Sequence, residues 1–172
     1  MATDEDLAGI RARIDAIDSQ LIGLISDRAR CAQEVAEIKL ASVQEEVAGR
    51  PIFYRPEREA QVLRAIQERN PGPLPDDYLA RIFREIMSSC LALEQPLAVA
   101  FLGPLGTYTQ AAARKHFGQS ALPHAQASIQ AVFREVEERR CDFGVVPVEN
   151  STEGMVGQTP DCFLESPLHI VG

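Results

Sequence analysis

The sequence predicts an all-helical segment followed by an α/β domain, with the boundary near Gln95 and almost no linker. Three observations predict it. Leu7, Ile10, Ile14, Ile17, Leu21, Leu24, Arg28, Cys31, Val35 and Ile38 occupy the a and d positions of a heptad, and all but Arg28 are apolar. At Leu97 the period changes, and Leu97-Ala98-Val99-Ala100-Phe101-Leu102 is a short apolar run of strand length. Beyond it, strand-like runs alternate with helical stretches, the pattern of a mostly parallel sheet. Residues 1–95 and 97–172 are therefore drawn as the two domains.

The first helix is predicted over residues 7–40. No Gly or Pro interrupts the chain between Ile25 and Ala48, and Thr3 with Asp6 forms a candidate capping box, with Asp4 and Glu5 at the positive end of the dipole. Residues 41–53 read as a loop closed by Gly49 and Pro51. A second helix starts at Arg55, with Pro56 in the favoured first turn, and runs to about Asn70. The run from Asn70 to Pro75 breaks it. A third helix covers residues 76–95, with a stripe of Leu79, Ile82, Phe83, Ile86, Cys90 and Leu93. One helix much longer than its neighbours has too little of its own chain to cover it, so dimerisation is expected. In the second domain a strand over 97–102 turns through Gly103-Pro104-Leu105-Gly106-Thr107 into a helix over 108–117. A further helix over 128–139 starts at Ser128 as N-cap, and strands follow over 141–148 and 168–171.

With 172 residues and 45% hydrophobic content, the chain suits one domain or two small ones with an ordinary core. Its formal charge of −8 argues against nonspecific nucleic-acid binding and against an anionic membrane surface, so any anion site is local. Cys31, Cys90, Cys141 and Cys162 show no paired spacing and read as reduced core thiols of a cytoplasmic protein. The acidic, amphipathic N-terminus resembles neither a signal nor a transit peptide, and no apolar run approaches a membrane span.

Arg28 in an apolar seam is the informative residue, because a guanidinium cannot lose its charge to escape burial. Lys39 lies roughly 16 Å further along and close to the same face, and Arg11 roughly 25 Å before it, on the flank. Inward-facing cations suit an anion held between helices. They equally suit a polar residue that fixes helix register, with snorkelling neighbours. The turn at residues 103–107 could cradle an anion ahead of its helix but reads first as structural. His116, His124 and His169 lack ligand spacing, so no metal is expected. The charged run around Glu135, Glu138 and Arg140 reads as a solvated helix face.

Taken together, Arg11, Arg28, Lys39, the Arg58-Glu59 pair and the run from Phe83 to Gln95 resemble the all-helical chorismate mutases. Gly103-Pro104-Leu105-Gly106-Thr107 and the run from Asp142 to Ser151 resemble the opening of a prephenate dehydratase domain. The whole chain is thus similar to the bifunctional chorismate mutase/prephenate dehydratase family of phenylalanine biosynthesis. The resemblance implies a three-helix mutase unit in an intertwined homodimer, then the start of an α/β dehydratase domain. It implies chorismate and prephenate as ligands and no cofactor. Catalysis would consist of holding the reactive conformer of chorismate and stabilising charge on the breaking ether oxygen. Arg11 and Arg28 would clamp the two carboxylates, and Lys39 and Glu94 would serve the ether oxygen. Glu59 would take the ring hydroxyl, Arg55 would act through its backbone, Arg58 would support the field, and Cys90 would face the same ligand. Since Arg11 lies too far along the helix from Arg28, the partner's copy would supply it. Glu149 and Asn150 would line the dehydratase pocket. The chain departs from the family pattern at Cys90, where many members have Ser, at Glu94, where some have Gln, and at Arg55, where relatives have Asp. The family's Thr-Arg-Phe motif does not occur in these 172 residues, so the chain is read as a fragment or truncated product with an inactive dehydratase part. Two other readings remain: a helical module that only dimerises, and a small-molecule sensor built on the α/β segment.

Overall fold

The computed structural model describes residues 4–43, 54–150 and 154–171. Three helices come first: α1 (Asp4–Val43), α2 (Pro56–Glu68) and α3 (Asp76–Glu94). A mixed segment follows, with β1 (Ala98–Leu102), α4 (Tyr108–Phe117), β2 (Leu122–Gln126), α5 (Ile129–Glu137), β3 (Phe143–Val145), β4 (Glu149–Asn150), β5 (Gly154–Met155) and α6 (Gln158–Glu165). All-helical first and α/β second is the order the heptad and the change of period predicted. By contacts within one chain the molecule divides into two compact units, Met1–Pro51 and Ile52–Gly172. This division concerns packing, and the boundary drawn near Gln95 remains a proposal about domains. No described helix is long and apolar enough to cross a membrane.

The first unit is α1, 40 residues with Asp4, Glu5 and Asp6 in its opening turn. The capping residue expected at Thr3 and residues 44–53 of the loop expected over 41–53 lie outside the described residues, while residues 41–43 continue α1, which extends the helix expected over 7–40 at both ends. Along α1 the heptad residues Leu7, Ile10, Ile14, Ile17, Leu21, Leu24, Val35 and Ile38 are 45–69% exposed. Cys31 is exposed as well, which corrects its reading as a core thiol. It sits on a stripe that this single chain leaves bare.

In the second unit the 69–75 connection is stapled by Asn70, whose Nδ2 donates to Leu74 O (2.8 Å) and Asp76 Oδ1 (2.6 Å). Gly72 takes φ +73° there, a conformation a side chain would disfavour. β1 lies at the centre of a three-stranded parallel sheet of order β2-β1-β3, with Ala100 opposite His124 on one side and Gly144 on the other. Val99, Ala100 and Phe101 are essentially inaccessible, enclosed by neighbouring strands and by α4 and α5, whose Ala113, Phe117, Ile129, Val132 and Phe133 are buried. Ser128 caps α5 as expected, its Oγ accepting from Ala131 N at 3.1 Å. Arg140 pairs with Glu135 (2.8 Å) and Glu138 on an exposed face.

Several expectations need correcting. β2 escapes the sequence pattern because its residues carry no apolar alternation and include Pro123, as befits an exposed edge. α6 escapes it because it is short and contains Pro160. The strand expected over 168–171 is irregular chain and not a strand. The one expected over 141–148 is only β3, since Pro147 has no N–H to continue the ladder. Cys90 and Cys141 are buried as expected, while Cys162 is only partly so.

α3 is fastened to the α/β segment by three interlocking contacts. Ser88 Oγ donates to Phe117 O (2.8 Å), and Gln119 N donates to Glu85 Oε2 (3.0 Å). Between them Gly118 has φ +82°, and a Cβ there would lie 2.4 Å from Ser88 Cβ. Only a residue without a side chain fits.

Candidate functional site

Arg55 is the N-cap of α2, and its carbonyl oxygen accepts from the amides of Arg58 and Glu59 at 3.1 Å each. Pro56 at the first helical position fixes the entry. That start places Arg58 in solvent and turns Glu59 toward α3, where its Oε1 accepts from Arg84 Nε at 3.3 Å. Both side chains of this pair are largely shielded, at 15% and 25% exposed. The Tyr54 phenol lies beside the same carboxylate. Burial, and then the charge and hydrogen bond of Glu59, push the Tyr54 phenol above the ordinary tyrosine range. It therefore stays protonated and remains a donor at any ordinary pH. Neither Tyr54 nor Arg84 was singled out from the sequence. Their signals were present but mute: an aromatic just before Arg55-Pro56, and a cation 25 residues beyond Glu59 that only the α2–α3 turn brings back.

On α3, Cys90 is buried and Glu94 half-buried, one helical turn apart, with Glu94 Oε2 shielded from water. The Cys90 thiol is a weak donor, and Glu94 donates only when protonated. Arg11, Arg28 and Lys39 all lie on α1, where Arg11 is exposed and Arg28 and Lys39 are half-buried. The described residues thus fall into two sets, the three cations of the first unit and the Arg55, Arg58, Glu59, Cys90 and Glu94 set of the second. Within α1, Arg11 and Arg28 are separated by roughly 25 Å of helix. Two side chains that far apart on a straight element cannot both grip one small dicarboxylate.

The turn ahead of α4 uses its own polar groups. Thr107 Oγ1 donates to the carbonyl oxygens of Leu102 (3.2 Å) and Pro104 (3.0 Å), and Gly106 N donates to Gln110 Oε1 (2.6 Å). Gly103 approaches β2 closely, with a would-be Cβ 3.2 Å from Gln126 O. This is a structural turn. Glu149 is exposed on β4 opposite Met155, and Asn150 pairs with Gly154 across the same two-stranded ladder.

Residues 10–95 match the family model for chorismate mutase type II, and residues 99–172 that for prephenate dehydratase. The chain is 58% identical over 172 residues to a bifunctional chorismate mutase/prephenate dehydratase of Pseudomonas aeruginosa, covering 100% of this chain and 47% of that protein. It is 48% identical over 169 residues to one of Neisseria gonorrhoeae, covering 98% of this chain and 44% of that one. A solved chorismate mutase (form II) of Thermus thermophilus is 28% identical with a TM-score of 0.47, over 52% of this chain and 93% of that one. The chain spans about half the length of the curated relatives it matches.

Proposed function

From its membership of the type II chorismate mutase family, we propose that this chain rearranges chorismate to prephenate as a homodimer with shared sites. The observation that carries the reading is that every candidate mutase residue, from Arg11 to Glu94, lies inside the matched segment of residues 10–95. The rearrangement is intramolecular and needs no nucleophile, so the protein's task is to hold one conformer and meet charge where it develops. Arg28 of one copy and Arg11 of the other grip the carboxylates. Lys39 and Glu94 serve the ether oxygen, and Glu59 accepts from the ring hydroxyl. Arg55 contacts the ligand through its backbone, Arg58 adds to the positive field, and Cys90 lends a weak donor. The bare apolar stripe of α1 supports the second copy. The cytoplasm, and the absence of a cofactor, belong to the same reading. Dehydratase chemistry is proposed for the family and not for a polypeptide of these 172 residues, which contain no Thr-Arg-Phe triplet to accompany Glu149 and Asn150.

The test is loss of chorismate absorbance with the purified chain, followed by an assay for phenylpyruvate. Chorismate turnover without phenylpyruvate is expected. Arg28→Ala and Arg11→Ala should each lower kcat/KM by at least about a hundredfold, as for a removed partner of a shielded charge pair. Mixing the two inactive variants under subunit exchange should restore part of the activity, because some mixed dimers carry one intact site. No recovery despite demonstrated exchange refutes site sharing. A stable dimer that leaves chorismate untouched would instead favour a helical module that only dimerises.

A further inference from the structure

Glu59 is held from two directions, and one of them begins in the α/β core. The Tyr54 ring packs edge-on against Phe117 of α4 (centroids 5.7 Å apart) and Phe143 of β3 (5.3 Å), while those two rings lie 5.2 Å from each other. Together they join the cluster built on Leu97, Val99 and Ala113. The hydroxyl at the other end of the same ring lies beside the Glu59 carboxylate, and Arg84 Nε donates to that carboxylate from α3 at 3.3 Å. α3 is itself locked to the α/β segment through Ser88, Glu85 and Gly118. Both supports of Glu59 are therefore anchored outside the helix that carries it.

We propose that Tyr54 and Arg84 are positioning residues for Glu59, and that through Tyr54 the aromatic core of the α/β segment sets the carboxylate that receives the substrate. This rests on the mutase reading of Glu59. A carboxylate on a flexible stem has several rotamers, and two donors from fixed elements select one of them before the ligand arrives. The ring hydroxyl that Glu59 would accept is remote from the bond that breaks. Its contact is equally present in ground and transition states, so loosening Glu59 should raise KM and leave kcat nearly unchanged.

Tyr54→Phe in the full chain separates the hydroxyl from the ring, because Phe keeps the packing on Phe117 and Phe143. Expected is a rise in KM of about tenfold, the scale of one hydrogen bond to a charged acceptor, with kcat within about twofold and an unchanged melting curve. Prephenate binding, measured by calorimetry so that no turnover is needed, closes the cycle. Tyr54→Phe should weaken it about tenfold in the native background and not at all in the Glu59→Gln background, since Tyr54 acts only through Glu59. A merely structural tyrosine would give additive losses, and additive losses overturn the proposal. So does an unchanged KM in Tyr54→Phe. Failure of the mutase reading looks different: the native chain itself neither consumes chorismate nor binds prephenate.

Discussion

α1 and β1 are both rich in apolar residues, yet one chain covers only β1. Val99, Ala100 and Phe101 are at most 1% exposed, while Ile10, Ile14 and Ile17 on α1 are more than half exposed. The difference lies in geometry more than in composition. A strand of five residues is enclosed by two parallel neighbours and the two crossover helices that the chain must build to make those neighbours parallel. A helix of 40 residues presents a face roughly 60 Å long. The next longest, α3 with 19 residues, is less than half that. A periodic face with no match of equal length among the described elements suits the homodimer proposed above, whereas the sheet closes locally.

That contrast breaks or survives on how stability responds to concentration. Phe101→Ala should cost about 3–5 kcal/mol, as for a large side chain deleted from a closed core, and the loss should be the same at every protein concentration. Ile17→Ala removes a side chain that is half exposed in one chain, so it should barely matter to an isolated subunit. In the proposed dimer it should lower the melting temperature in proportion to the logarithm of dilution. Equilibrium unfolding of both variants across a hundredfold range of concentration would decide. A concentration-independent loss in Ile17→Ala would mean that α1 is covered from within.

Gly118→Ala sharpens the comparison from the other side, by testing how rigidly α3 is seated on the α/β segment. The new methyl group would meet Ser88 Cβ at 2.4 Å with φ at +82°. Relief requires Ser88 to give up its hydrogen bond to Phe117 O. A loss of about 1–3 kcal/mol is expected by chemical denaturation, again without concentration dependence. A neutral result would show that the α3–α4 junction yields easily.

The same geometry explains what could be read in the sequence. The heptad of α1, the Pro56 entry to α2, the bounds of α4 and the Ser128 cap each rest on short-range chemistry, and each was legible. β2 was not, because an exposed edge strand such as Leu122–Gln126 needs no apolar pattern and takes its register from β1. Likewise α6 owes its place to a tertiary contact, Thr159 Oγ1 donating to Pro147 O at 2.6 Å, that no local signal announces. In the candidate site, Glu59 was proposed from its neighbour Arg58 and from the resemblance, whereas its partners Tyr54 and Arg84 were not singled out. Their roles exist only once α3 folds back on α2 and the Phe117–Phe143 pair is built. Seam exposure misled the reading of Cys31, since a heptad position is buried only when its partner is present.

The smallest effect expected is chemical, and it confines a pH response to the helical region. If Glu94 serves the ether oxygen, it must donate a hydrogen bond as negative charge builds there, and an ionised carboxylate has nothing to donate. Acidification raises the fraction of a carboxyl that carries its proton and can donate. Catalytic efficiency of the native chain should rise with it as the medium is acidified from neutrality, and level off where Glu94 becomes neutral. Gln carries its donor at every pH. Glu94→Gln should therefore flatten the profile over this range and match or exceed the native chain near neutrality. Glu94→Ala should be slow throughout. Superimposable pH–rate profiles for the native chain and Glu94→Gln would remove Glu94 from the chemistry and leave Lys39 to meet the ether oxygen alone.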